Sequence, residues 1–400
     1  MSSPVQVPEY CPRPTCIYFD PSRARHTRWY CSFGTYSTSC RGTIRRFRCK
    51  QCGKTCSTQT FSVHYWTHSN EDLQLLLQKL CSGSGLRQHA RCTAHSLRVV
   101  RNRLARLSRN CLFLLDAATA GHTLGEDLAM DGFESFTRSQ YFPNNITISV
   151  GARSQYIYAA VHTLLRRKGS MTEHQREVRS MIDRHWRPAP KAVEHDVTAL
   201  LADTAAMIAR GCAREPRTLC SDYHHAYPPA LRAVPETARA LARGRLLHHR
   251  TSSRAARTRT NPLFPVNYTD REIRNCLGEH VRETLKHGRE VNAQMQRMAI
   301  FMVAHNFLTP HRITDGVNLT RNHPSRADVA GIKPEAYRKE LSRLFTHRNL
   351  RGHLKVPREC IERVWAHRYE NPPAVNRHSG EVSPHRVALS PGEIPKHLIA

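Results

Sequence analysis

Residues 128–136 read LAMDGFESF, a short apolar run with an aspartate, Asp131, at its centre. The run has the length and polarity of a strand from the middle of a sheet. A desolvated carboxylate in such a place costs several kcal/mol unless a cation or a metal ion pairs with it. Two more strand-like runs follow, NNITISVGA at 144–152 and YIYAAVHTLL at 156–165, with turn residues between them. Helical patterns then cover 171–186 and 193–211, and RTLCSDYHHAYPPAL at 217–231 begins as another strand. Strands, helices and a further strand in this order predict a mixed α/β fold, a mixed sheet flanked by helices.

The 400 residues are enough for two or three domains, and a hydrophobic content of 40% supplies a real core. The formal net charge is +29 and the isoelectric point near 10.2, far beyond what solubility requires. Such a surface attracts a polyanion, and nucleic acid is the first partner to expect. No apolar run approaches the roughly 18 residues that cross a bilayer and no signal peptide opens the chain, so no membrane role and a cytoplasmic location are expected.

Seven of the fourteen cysteines lie in the first 60 residues. In a reducing compartment that crowding points to metal ligation rather than disulfides. CPRPTC supplies Cys11 and Cys16, and RRFRCKQCGKTC supplies Cys49, Cys52 and Cys56. Pairs of cysteines with two to four residues between them bring two thiolates onto one ion, so Cys11, Cys16, Cys49 and Cys52 are the expected ligands of a structural Zn2+. Cys31 and Cys40 lie in the gap between the pairs. A zinc ribbon over residues 1–66 follows from this reading.

After Ser69 and Asn70, read as a helix N-cap, EDLQLLLQKL has helical spacing. A short helix from Leu86 to Arg91, a turn near Cys92 and Thr93 and a longer helix from Ala94 make a helix-turn-helix pattern within 67–120. The second helix carries Arg98, Arg101, Arg103, Arg106 and Arg109, of which the first four are the expected DNA contacts. Residues 242–260, ARGRLLHHRTSSRAARTRT, show no clear period and read as a basic loop.

Asp222 follows the apolar end of RTLC, where a strand stops. Together with Asp131 on a neighbouring strand it can hold a divalent metal at one sheet edge. A third carboxylate is expected from a helix over that edge. In TDREIRNCLGEHVRETLKH, at 269–287, Ile273, Leu277, Val281 and Leu285 define one buried stripe, and Asp270 projects near its middle. Glu272, Glu279 and Glu283 lie roughly 140° or more from the stripe by the same rotation and read as solvent-facing. Asp270 is therefore the expected third ligand and Glu283 the reserve. The competing role for Asp270 is stabilisation of the helix start or a pair with Arg274.

The order of these pieces, with MDGFESF, SDYHHAYP, NPLFPVNYTDREIRN, HVRET and AHNFLTPHR following the cysteine pairs and the helix pair, resembles bacterial insertion-sequence transposases of the acidic-triad (DDE-type) class. The likeness runs from about Tyr10 to about Arg312. It implies an RNase H-like catalytic core over 121–312, with Asp131 and Asp222 as the first two metal-binding acids. The family's third acid is usually a glutamate on the late helix, where this chain has VNYTDREIR with Asn267 and Asp270. The activity implied is Mg2+- or Mn2+-dependent cleavage and strand transfer of DNA. Arg271 and Arg274 would steady the phosphate, DNA terminal repeats and target DNA would be the partners, and a homo-oligomer would assemble on the nucleoid. The alternatives are a DNA-binding regulator with an inactive core and a nuclease without strand transfer. Residues 313–400, rich in proline, histidine and arginine, read as a basic tail with no assigned chemistry.

Overall fold

The strand read first lies at the centre of a sheet. In the computed structural model, which describes residues 8–281, 286–312, 323–348, 372–375 and 382–383, Leu128, Ala129 and Met130 are all buried. That burial is why the run is apolar on successive residues instead of alternating. Five strands form the sheet: β4 (Leu128–Phe136), β5 (Pro143–Gly151), β6 (Ile157–Leu164), β7 (Arg217–Ser221) and β8 (Leu246–Arg250), in the order β6-β5-β4-β7-β8. The first three are antiparallel neighbours, whereas β7 pairs parallel to β4 and β8 parallel to β7. Asp131 faces Ile148 across the β4–β5 ladder, and Gly132 faces Thr147. A Cβ at Gly132 would lie 2.3 Å from Oδ1 of Asn145, so the residue after Asp131 has room only for hydrogen.

Earlier in the chain, α1 (Pro21–Arg25) precedes a three-stranded antiparallel sheet of β1 (Tyr30–Thr38), β2 (Gly42–Cys49) and β3 (Thr55–Ser57). This part has a core of its own, built from Tyr10, Phe19, Trp29, Phe47 and Phe61 around the cysteines. Three helices follow: α2 (Leu73–Cys81), α3 (Leu86–Cys92) and α4 (Leu97–Thr119). Their apolar faces join the sheet in one continuous core that runs from Val63 to Leu344. Between β6 and β7 come α5 (Glu173–His185) and α6 (Ala192–Arg214). The first rests on a small satellite core of Phe142, Ile182 and Trp186, and the second packs across β6 and β5. Two short helices, α7 (Tyr227–Ala233) and α8 (Pro235–Ala242), lead from β7 to β8. Then α9 (Phe264–Cys276) lies over β4 and β5, and α10 (Val291–Val303) packs against α4. Finally α11 (Arg326–Val329) and α12 (Pro334–Arg343) follow, with α12 against α4.

Several local expectations shift. The N-cap of α2 is Asp72, whose Oδ1 accepts from the N–H groups of Gln74 and Leu75, and Ser69–Asn70 lie upstream of the helix. The longer helix starts at Leu97, capped by Ser96, since Ala94 adopts a left-handed backbone with φ 54°. Residues 246–250, read as loop, form the edge strand β8; its arginine and histidines are tolerated because an edge strand has one free side. The helix carrying Asp270 begins at Phe264, with Pro265 in its first turn, and ends at Cys276 because Leu277 leaves helical geometry at φ −115° and ψ 89°. Val281 is accordingly 40% exposed and not part of a stripe. Leu285 and Glu283 lie outside the described residues. Glu279 is buried and paired with Arg297 at 2.8 Å, and Glu272 is half-buried against His305 and Arg326, so neither glutamate faces solvent. The segment read as a tail includes α11 and α12, which are built into the core through Ala327, Ile332 and Leu344.

Candidate functional site

Asp131 leaves the middle of β4, Asp222 stands one residue beyond β7, and Asp270 rides on the buried face of α9 beside Val266 and Ile273. Because β4 and β7 run parallel and adjacent, and α9 crosses β4, all three carboxylates line one cavity of about 1230 Å³. Their surroundings differ. Oδ1 of Asp131 accepts the Gly132 N–H at 2.8 Å, and Oδ1 of Asp222 accepts the His224 N–H at 2.8 Å. Oδ1 of Asp270 is buried with no hydrogen-bond partner among the described residues.

The electrostatics record the crowding. Burial, then the charge of Asp222, pushes Asp131 up to about 6, with the Gly132 N–H and Arg257 opposing. Burial and the charge of Asp131 raise Asp270 well above the usual carboxylate range, opposed by Arg274 and Arg257. Tyr227, buried in the cavity wall, is raised by burial and by all three aspartates. A contrast is Glu126, also buried, whose oxygens accept from Arg153 N, Ser154 N, Ser154 Oγ and Tyr158 Oη and which thereby locks a turn. Asp270 has no such set of donors. An orphaned carboxylate oxygen beside a second acid is the chemistry that a divalent cation satisfies. The three acids nevertheless do not close as tightly as the cysteines described below: among the described residues, no group containing them has its ligand atoms all within 4.8 Å of one another.

Basic side chains complete the wall. Arg257, Arg271 and Arg274 line the cavity with the acids, as do Arg166, Arg167 and Lys168 on the segment after β6. His224 and Tyr227 were not singled out in the sequence, although SDYHHAYP placed both within five residues of Asp222. Nδ1 of His224 accepts the Ala226 N–H at 3.2 Å, which leaves its other ring nitrogen as the donor. Burial and the adjacent His225 lower His224, keeping it neutral near pH 7.

A second site lies in the N-terminal sheet. Sγ atoms of Cys11, Cys16, Cys49 and Cys52 all lie within 4.8 Å of one another. The Cys11–Cys52 and Cys16–Cys49 separations are 3.5 and 3.7 Å. Zn–S bonds of about 2.3 Å in a tetrahedron require sulfurs about 3.8 Å apart, so the spacing suits one structural metal ion. Burial and neighbouring thiols raise Cys11 and Cys16, a crowding that a dication relieves. Cys31 and Cys40 stand apart, their thiols directed at the Arg48 carbonyl and at Oδ1 of Asn70.

The α4 arginines divide. Arg98 is exposed, and Arg101 is exposed but paired with Glu290 at 3.2 Å. Arg103 is 2% exposed, with its guanidinium donating to Ser69 O and Oγ. Arg106 donates to the carbonyls of Val63 and Tyr65 at 2.7 Å. Arg103 and Arg106 tie α4 to the preceding segment. Among the described residues no helix is long and apolar enough to cross a membrane. No family model matches the chain, and no curated protein matches it.

Proposed function

We propose that the chain is a DNA transposase of the DDE type, which cuts and joins the ends of an insertion sequence in a metal-dependent reaction. The observation that carries this reading is the convergence of Asp131, Asp222 and Asp270 on one basic cavity, with a buried carboxylate oxygen lacking a partner. The strand order, three antiparallel strands continued by two parallel ones, agrees with an RNase H-like core. The four cysteines agree with a zinc ribbon, and α3 and α4 with a helix-turn-helix.

On this reading the three aspartates hold Mg2+ or Mn2+. The ions supply Lewis-acid stabilisation of a phosphodiester and activation of an attacking water or 3'-hydroxyl. The chain's own residues do the rest. Arg257, Arg271 and Arg274 offset the phosphate charge. Neutral His224 offers a ring N–H beside Asp222 for a phosphate oxygen, and Tyr227 closes the wall against water. The rival reading, a DNA-binding regulator with an inactive core, is favoured by the looser spacing of the carboxylates.

One experiment separates them. The purified chain is incubated with Mg2+ and the DNA that flanks its own gene, and nicks and joined products are mapped. Transposition chemistry requires cuts at the element ends and joining to target DNA, both abolished in Asp131→Ala with binding retained. DNA binding without any cut supports the regulator, and cutting without joining supports a nuclease.

A further inference from the structure

Residues 21–70 contain nine lysines and arginines and no aspartate or glutamate, so the charge of this stretch is not neutralised by its own sequence. Much of it is displayed on the β1–β2 hairpin. Seven consecutive residues of β1 are exposed, an unusual state for a strand whose partner β2 buries Ile44, Phe47 and Cys49. On the open side Phe33 is 39% exposed and Tyr36 41%. The guanidinium groups of Arg46 and Arg48 lie 5.0 and 5.6 Å from the Phe33 ring centroid. An aromatic ring on a solvent face with two cations stacked on it restricts side chains that would otherwise sweep through many rotamers. The hairpin is also fixed at both ends. Four cysteines clamp its base, and its tip is tied down by Arg41 donating to Thr67 Oγ1 and Ser69 O and by Asn70 Nδ2 donating to Cys40 O.

We propose that the outer face of this hairpin is a duplex-DNA interface that enters the major groove, with Phe33 holding Arg46 and Arg48 in position. A groove about 12 Å wide admits a two-stranded ribbon. Nine residues at about 3.4 Å each give a rod about 30 Å long, close to one turn of DNA. Arg103 and Arg106 on α4 are engaged with Ser69 and with backbone carbonyls, so the hairpin adds a cationic face to the exposed arginines of α3 and α4. The inference deepens the DNA-binding part of the proposed function and does not depend on the three acids.

The test uses the full chain and a labelled 30-base-pair duplex carrying the end of its own element, with binding followed by fluorescence anisotropy over a range of salt concentrations. Phe33→Ala is expected to weaken binding about tenfold with the salt slope unchanged, because it removes no charge, and Phe33→Tyr to restore it. Arg46→Ala and Arg48→Ala together are expected to weaken binding more and to lower the salt slope by about 2. One zinc per chain in every variant shows that the hairpin's base is intact. Binding within twofold of the parent in both the phenylalanine and the double arginine variants overturns the interface, as does tighter binding of single-stranded DNA than of duplex. A chain that needs the hairpin to bind duplex yet cuts nothing supports the interface while removing the transposase reading. Undiminished cutting and binding in the hairpin variants does the reverse.

Discussion

Replacing Asp131 by asparagine is expected to stabilise the metal-free protein, and the structure gives the size. Burial and Asp222 move the carboxyl from 3.8 to about 6, a shift of about 2 units, or about 3 kcal/mol at 1.36 kcal/mol per unit. Between pH 4 and 6 the folded chain holds a proton that the unfolded chain has released. Stability therefore falls as pH rises through that window and stays at the lower level above it. Asparagine keeps the shape and an oxygen for the Gly132 N–H but carries no charge, so its profile lacks this fall. At pH 8 and without divalent metal, Asp131→Asn should unfold roughly 3–5 °C higher than the parent, since about 2–3 kcal/mol moves a unit of this size by that much. At pH 4, where the parent carboxyl is protonated, the two should unfold together. Calorimetry at the two pH values, with chelator present, reads the difference directly. Added Mg2+ should raise the midpoint of the parent and leave that of the variant nearly unchanged. A variant that is less stable than the parent by the same amount at both pH values would show that Asp131 is a structural hydrogen-bonding group, and the argument for a charge-strained site would fail.

Removing the metal with a chelator, or replacing Cys49 by serine, should unfold the N-terminal sheet and leave no metal bound when the chain is assayed for zinc, whereas Cys31→Ser and Cys40→Ser should leave the metal content unchanged. Arg297→Ala leaves Glu279 buried without its cation and should lower stability by about 3–5 kcal/mol in urea unfolding, with Glu279→Gln in the same background recovering part of the loss. Arg103→Ala should destabilise the chain by about 2 kcal/mol through the lost hydrogen bonds to Ser69 and the space left in the core, without changing the salt dependence of DNA binding. In Arg98→Ala the pattern should reverse, with stability kept and the salt slope lowered by about 1.

The central strand was legible because burial on both faces leaves an uninterrupted apolar run, and the three strands of the meander were legible for their turns. The position of Asp222 at a strand end followed from the same logic. The edge strand β8 was hidden because LLHHR has a single buried leucine, Leu246, and an edge position does not force alternation. For α9 the signals were present but read differently. Pro265 suits a first helical turn and Gly278 follows the last one, yet the periodicity alone starts the helix late, at Thr269, and carries it past Gly278. Asp270 survived that error because it lies three residues before Ile273, inside the real helix. Arg103 could also have been sorted from sequence. It sits three residues after Val100 and four before Leu107, both fully buried, so it belongs to the apolar stripe of α4 and not to an exposed face. What no pattern discloses is that Glu279 finds Arg297, or that Thr137 donates to Gln294, since these partners meet only after the helices close over the sheet.

The N-terminal and C-terminal parts of the described chain are stitched together. Val63 donates its N–H to Thr346 O, Arg348 donates to Phe61 O, and Asn110 on α4 donates to the carbonyls of Leu344 and His347. A ribosome extending the chain at about 5–20 residues per second needs on the order of tens of seconds between delivering the first partner and the last. Throughout that interval the flank of α4 that α12 will cover has no lid, and its leucines are open to the wrong company. Synthesis stopped at 312, before these partners emerge, should therefore yield aggregating protein and not a trimmed but folded one.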